Sequence, residues 1–198
     1  MQPRSPSLSA LILAGGQARR MQGVDKGLVT LKGTALIDHV IARLRPQVQA
    51  IRINANRSLE EYASRDLAVV SDHLSGYQGP LAGMATGLDS SPSEWLLVVP
   101  CDTPFLPTDL AGRLLQAATE DGSEIAVAHD GERLQPVICL LHRALQESLE
   151  RFLADGGRKI DRWFAEHRVS RVDFSDQPDA FININTLQEK QLLESGAA

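Results

Sequence analysis

The sequence contains little cysteine and no long apolar run. Its two cysteines, Cys101 and Cys139, have neither the spacing of a disulfide framework nor that of a zinc site, so we expect a reducing compartment. The longest strongly apolar run, residues 95–99, is far too short to cross a bilayer. Residues 1–9 lack the apolar segment of a secretory signal. These absences predict a cytoplasmic protein that does not bind membranes.

Basic residues are in the minority, and the chain has no recognisable pairing of a nucleophile with a base. With 20 Lys and Arg against 25 Asp and Glu, the formal net charge is −5, which argues against nucleic acid as a partner. The 5 histidines lack metal-ligand spacing, and no serine, cysteine or histidine stands beside an oriented base. We therefore expect chemistry that depends on positioning and charge neutralisation, without a covalent intermediate.

Strand and helix patterns alternate through the first two thirds of the chain. Short apolar runs end at polar residues, and segments with helical spacing of apolar residues separate them. We therefore expect an α/β, three-layer Rossmann-like fold with a mostly parallel central sheet. Later, residues 125–128 and 137–141 flank an Asp-Gly-Glu turn and predict two adjacent strands. The other predicted strands are 11–13, 50–55, 67–71, 95–99 and 169–174; the main predicted helices cover 36–44, 80–88 and a segment capped by Thr108-Asp109.

A glycine-rich basic segment follows the first predicted strand. Gly15 and Gly16 remove side chains where a bulky ligand could approach, and Arg19, Arg20 and Lys26 come soon afterwards. This pattern favours a polyphosphate-binding loop over a solvated turn with surface arginines. The segment is not a Walker A loop, since no Ser or Thr follows the lysine. It is not a dinucleotide fingerprint, which requires a third glycine.

Three polar residues, Asn54, Asp72 and Asp102, follow the ends of later predicted strands. In an open parallel sheet, these positions face the same crevice as the loop after the first strand. Asp102 suits magnesium, which takes few carboxylates together with water and phosphate oxygens, although it could instead cap the turn that follows. Asp72 could accept hydrogen bonds from the N1–H and 2-amino groups of guanine. Turn chemistry is the alternative for each residue taken alone.

These motifs resemble those of the molybdenum cofactor guanylyltransferases, nucleotidyltransferases with a glycosyltransferase-A-like fold. The similarity begins with Leu13-Ala-Gly-Gly16, Arg20-Met21 and Gly23-Val-Asp-Lys-Gly27, where Gln22 replaces a glycine usual in the family. It continues through Asn54-Ala-Asn-Arg57, Ser71-Asp72, Gly79-Pro-Leu-Ala-Gly83, Pro100-Cys-Asp-Thr-Pro104, Gln135-Pro-Val137 and Phe181-Ile-Asn-Ile-Asn-Thr186. The resemblance therefore covers nearly the whole chain and implies a nucleotide-diphospho-sugar transferase fold.

The resemblance implies transfer of GMP from GTP to the terminal phosphate of molybdopterin cofactor, which gives the guanine dinucleotide and pyrophosphate. Arg20 and Lys26 would neutralise the phosphates, and Asp102 would bind Mg²⁺ at the α-phosphate. Transient contacts with molybdenum-insertion and molybdoenzyme-maturation proteins are also implied, and we expect a monomer. Cytidylyl or sugar-nucleotide transfer, or non-catalytic nucleotide binding, are the alternatives. The expected nucleotide-binding residues are Leu13, Ala14, Gly15, Gly16, Lys26, Asn54, Asp72 and Asp102.

The acceptor side is less sharply marked in the sequence. Arg158 and Lys159 could hold the pterin phosphate, or they could form a solvated helix start after Gly156-Gly157. Gln135, Asn183 and Asn185 could contact the pterin or a metal-bound water, and analogy with sugar nucleotidyltransferases offers Asn185 as a second magnesium ligand. Since no linker divides the chain, we expect one domain over residues 1–198, with residues 8–105 binding nucleotide and 106–190 binding the acceptor.

Overall fold

The computed structural model describes residues 6–16, 25–73, 79–186, 189–191 and 194. The predicted alternation of strands and helices is confirmed. None of the helices among these residues is long and apolar enough to span a membrane. The elements in chain order are β1 Leu8–Leu13, β2 Thr30–Leu31, β3 Thr34–Ala35, α1 Leu36–Leu44, β4 Ala50–Asn54, α2 Leu59–Ala63, β5 Ala68–Val70, α3 Pro80–Ser90, β6 Trp95–Pro100, α4 Leu110–Asp121, β7 Ile125–His129, β8 Leu134–His142, α5 Gln146–Ala154, α6 Ile160–Phe164 and β9 Val169–Asp173.

Seven of the strands form one sheet, in the order β5-β4-β1-β6-β8-β7-β9. Strand β1 pairs in parallel with β4 and β6, and β4 with β5. Strand β8 is antiparallel to both of its neighbours, β6 and β7, and β9 is parallel to β7. The predicted mostly parallel sheet is therefore confirmed, as is the pairing of the two strands around the Asp-Gly-Glu turn.

Helices cover both faces of the sheet because its strands are apolar on both sides. On one face, Ile12 of β1 packs in a cluster with residues of α1 and α4, such as Val40 and Leu114. On the other face, the neighbouring Leu11 packs in a cluster with residues of α3 and α6, such as Met84 and Trp163. This alternation along a single strand produces the three layers expected from the sequence.

The start of α4 differs from the sequence-based expectation. The Asp109 side chain accepts no capping hydrogen bond from the helix. Instead, the Gln47 side chain, which follows α1, accepts a hydrogen bond of 2.9 Å from the Ala111 N–H and donates one of 2.9 Å to the Pro107 carbonyl. A residue distant in sequence thus satisfies a free N–H group in the first turn, which a local capping pattern cannot reveal.

Candidate active site

A cleft of about 510 Å³ opens at the carboxyl ends of the parallel strands. The strand register explains its position, because Leu13 is level with both Asn54 and Pro100, and Asn54 with Val70. Residues just beyond these positions therefore meet at one edge of the sheet. The cleft is lined by Leu13, Ala14, Gly15, Gly16, Lys26, Asn54, Asp72, Gly79, Pro80, Pro100, Cys101, Asp102 and Val137.

All eight residues expected to bind nucleotide line this cleft. Backbone hydrogen bonds hold the first of them in place, since the Ala14 N–H donates to the Asn54 carbonyl at 2.8 Å and the Cys101 N–H donates to the Leu13 carbonyl at 3.1 Å. The segment that turns away from β1 is therefore tied to the strands on both sides. Arg20, the remaining expected phosphate ligand, lies outside the described residues.

Two asparagines hold the Asp72 carboxylate, which follows β5 at one end of the row of parallel strands β5-β4-β1-β6, whereas Asp102 follows β6 at the other end. Asn54 Nδ2 donates to Asp72 Oδ1, and Asn56 Nδ2 donates to Asp72 Oδ2, each at 2.8 Å. The Asp72 N–H in turn donates to Asn56 Oδ1 at 2.9 Å. Both donors are neutral amides, so they fix the orientation of the carboxylate without neutralising its charge. The strand-end argument found Asn54 and Asp72 but missed Asn56, whose alternation with Asn54 was the available signal.

The other end of the cleft contains a cation between two oxygen atoms. Lys26 Nζ lies 3.1 Å from Asp102 Oδ2 and 2.6 Å from Asn185 Oδ1. Asp102 is only 8% exposed, and the Asp102 carbonyl accepts a hydrogen bond of 3.0 Å from the Ile184 N–H. The Ile184 side chain is fully buried in a small cluster with Leu31. This anchoring brings Asn185, far away in sequence, beside Asp102.

The two oxygen atoms that contact Lys26 are suitable ligands for magnesium. A carboxylate oxygen and an amide oxygen both contact one cationic group, and these are hard ligands of the type that Mg²⁺ prefers. Groups of three or more His, Cys, Asp or Glu side chains that could hold a metal ion do not occur in the described part of the chain. Within the same residues, the Asp102 carboxylate accepts a hydrogen bond only from Lys26 and caps no backbone N–H.

The five expected acceptor residues are not brought together. Asn185 contacts Lys26, and the neighbouring Asn183 accepts a hydrogen bond from the Thr103 hydroxyl. Gln135 donates to Asp130 Oδ2 at 2.6 Å and is not among the residues that line the cleft, although Val137 of the same strand is.

The basic pair after α5 also lies outside the cleft lining. The Arg158 guanidinium donates to the Leu153 carbonyl at 2.8 Å and lies in a separate pocket of about 430 Å³ with Thr86 and Asp89. Lys159 occupies the N-cap position of α6. Arg158 and Lys159 therefore lie at a helix boundary, which agrees with the alternative interpretation of the motif as a helix start.

Comparisons with known proteins agree with this fold. The profile of the MobA-like NTP transferase domain matches residues 10–172. A molybdenum cofactor guanylyltransferase from Shewanella loihica is 53% identical over 98% of this chain and 99% of its own, and one from Shewanella sp. strain MR-4 is 53% identical over 96% of each. The solved structure of molybdopterin-guanine dinucleotide biosynthesis protein A from Archaeoglobus fulgidus superimposes with a TM-score of 0.80 at 23% identity, covering 96% of this chain and 98% of that one. The fold expectation is therefore confirmed, and the chain belongs to the molybdenum cofactor guanylyltransferases, nucleotidyltransferases of the MobA-like class.

Proposed function

We propose that the protein transfers GMP from GTP to the terminal phosphate of molybdopterin cofactor and releases pyrophosphate. The observation that carries this proposal is the division of one cleft between two chemically different ends. An oriented carboxylate, Asp72, stands at one end, and the Lys26–Asp102–Asn185 group stands at the other. A nucleotide has the same division, since its base offers hydrogen-bond donors and its phosphates require cations. Membership of the family supplies guanine and molybdopterin as the specific substrates.

Asp72 is suited to select guanine. Guanine presents the N1–H and 2-amino donors side by side, and a carboxylate can accept from both, whereas adenine and cytosine do not offer this pair. Asn54 and Asn56 fix the carboxylate before the nucleotide arrives, so little orientational freedom is lost on binding. A bidentate contact with a base is worth roughly 1–3 kcal/mol of discrimination. This corresponds to a preference of roughly 5- to 150-fold.

Lys26 and Asp102 are suited to the phosphates. Asp102, together with Asn185, would hold Mg²⁺, and the ion would supply positive charge to the phosphate oxygens. The Lys26 ammonium reaches the same place and can neutralise a neighbouring phosphate oxygen. The acceptor is a phosphate monoester that is already anionic near neutral pH, so the chain needs no strong general base. Its task is to align the two phosphates and to compensate their charge.

A nucleotide panel tests the proposal. Pyrophosphate release should be measured with GTP, ATP or CTP, each with and without molybdopterin cofactor. We expect release only with GTP and acceptor together. Asp72→Ala should weaken GTP binding while leaving the weak binding of ATP nearly unchanged. Release from CTP in preference to GTP would identify a cytidylyl transferase instead, and nucleotide binding without release would identify a non-catalytic nucleotide-binding protein.

A further inference from the structure

Arg57 connects two parts of the cleft wall that are distant in sequence. It lies just after β4, and its guanidinium Nη2 donates to the Gly16 carbonyl at 3.2 Å and to Asp25 Oδ1. Gly16 lines the cleft beyond β1, and Asp25 directly precedes Lys26. One planar group therefore joins the turn after β1 to the residue next to the cleft's lysine. Both hydrogen bonds come from Nη2, which carries two N–H groups and can serve one acceptor with each.

Asp25 depends on Arg57 for charge compensation. The Asp25 side chain is only 4% exposed, whereas that of Arg57 is 38% exposed. The second carboxylate oxygen, Asp25 Oδ2, is buried and has no hydrogen-bond partner among the described residues. A buried carboxylate that loses its ion-pair partner is strongly destabilised. Without Arg57, Asp25 would have no cation beside it among the described residues, and the backbone next to it would shift.

Gly27 fixes the backbone on the other side of Lys26. A Cβ atom added at Gly27 would lie 2.9 Å from the Tyr62 hydroxyl oxygen and 3.2 Å from the Cys101 Cβ. The glycine is thus pressed against the core and has no room to shift towards it. Lys26 stands between this packed glycine and the paired Asp25. These two neighbours hold the backbone from which the Lys26 side chain reaches Asp102.

We propose that Arg57 is a positioning residue for Lys26. By pairing with Asp25 and binding the Gly16 carbonyl, it sets where the Lys26 ammonium stands relative to the phosphates. Arg57 does not line the cleft, so it acts through the residues that it holds, chiefly Lys26. The proposal rests on the proposed function where turnover is the readout, but it can also be tested by GTP binding.

A double-mutant cycle with Lys26 separates positioning from a general structural role. Arg57→Ala should lower kcat about 10–100-fold, with a smaller change in the KM for GTP, because a displacement of about 1 Å at a reacting group costs this much. In a Lys26→Ala background, the same change should lower kcat less than about threefold, since the group that Arg57 positions is already gone. Arg57→Lys should restore only part of kcat, because it keeps the positive charge but carries it on a shorter side chain. Equal losses in the two backgrounds would overturn the proposal.

Two further variants distinguish an effect on Lys26 from a loss of folding. Arg113 is a matched control, because it also pairs with an aspartate, Asp176 at 3.0 Å, and does not line the cleft. Arg113→Ala should leave kcat and the KM for GTP unchanged, even if it lowers the melting temperature. The double variant Asp25→Asn with Arg57→Met removes both charges of the pair at Lys26, so it should fold even if Arg57→Ala does not. It should still show the loss of kcat, and wild-type turnover in this variant would overturn the proposal.

The positioning role of Arg57 can be tested even if the proposed function is wrong. If the wild-type protein forms no dinucleotide, the same cycle can be measured from GTP affinity by calorimetry. Non-additive losses for Arg57→Ala and Lys26→Ala would then still support the positioning role, and additive losses would overturn it.

Discussion

Gly83, near the start of α3, offers a test of how closely the cleft is packed around Asn54 and Asp72. A Cβ atom at this position would lie 2.5 Å from Asn54 Oδ1 and 2.7 Å from Leu13 Cδ2. Asn54 cannot turn away freely, because its Nδ2 donates to Asp72 at 2.8 Å. Gly83→Ala should therefore either push α3 outwards or separate Asn54 from Asp72.

The size of the effect can be estimated against a second helical glycine. Gly112 lies in α4 with no atom within 4 Å of its added Cβ, so Gly112→Ala should gain only the helical preference of alanine, about 1 kcal/mol. Gly83→Ala should gain the same preference but lose about 1–3 kcal/mol through overpacking. The two variants should thus differ in their free energy of unfolding by about 1–3 kcal/mol. For a chain of this length, this corresponds to a difference of roughly 2–12 °C in melting temperature.

Thermal unfolding and GTP calorimetry of both variants provide the assay. Gly112→Ala should bind GTP as the wild type does, whereas Gly83→Ala should bind it roughly tenfold more weakly, because Asp72 loses the asparagine that orients it. Wild-type GTP affinity together with the melting temperature of Gly112→Ala would refute this reasoning. It would mean that α3 can shift without disturbing Asn54.

Three further predictions concern the phosphate end of the cleft and the buried thiols. Asp102→Asn should lower turnover about 10²–10³-fold and remove Mn²⁺ binding in the presence of GTP, as measured by electron paramagnetic resonance, with unchanged melting; near-normal turnover would contradict a metal role. Lys26→Ala should lower kcat more than it raises the KM for GTP in steady-state assays, and a pure KM effect would reduce Lys26 to a binding residue. Burial raises the pKa of the Cys101 and Cys139 thiols in the folded chain. Since only the unfolded thiols then ionise, the free energy of unfolding, measured in urea, should fall as pH rises above about 8.5, and a flat profile would contradict this.

Much of the fold, and the site residues at the ends of the strands, could be predicted because they follow from local patterns. Buried strands appear as apolar runs, and the parallel sheet brings their carboxyl ends to one edge. Asn54, Asp72 and Asp102 were therefore found without knowledge of any distance. Their chemical partners were harder to predict, because each contact joins segments far apart in sequence.

Asn185 and Arg158 show this limit most clearly. Analogy with sugar nucleotidyltransferases suggested Asn185, and the basic turn after Gly156-Gly157 suggested Arg158. The structure places Asn185 at Lys26 because the adjacent Ile184 is buried with Leu31, whereas Arg158 turns back to bind the end of α5. A short motif states which residues are present, but packing of the neighbouring side chain decides which way each one points.

The contact of Asp102 with Lys26 and its proposed binding of Mg²⁺ have the same physical reason. A carboxylate that is only 8% exposed needs a neighbouring cation. Lys26 supplies this charge and also contacts Asn185. A magnesium ion bound by the same two oxygens would supply the charge instead. The Lys26 ammonium would then be free to turn towards a phosphate oxygen that arrives with the ion. The contact between Lys26 and Asp102 is therefore compatible with the two proposed roles, in which Lys26 acts on phosphate and Asp102 on metal.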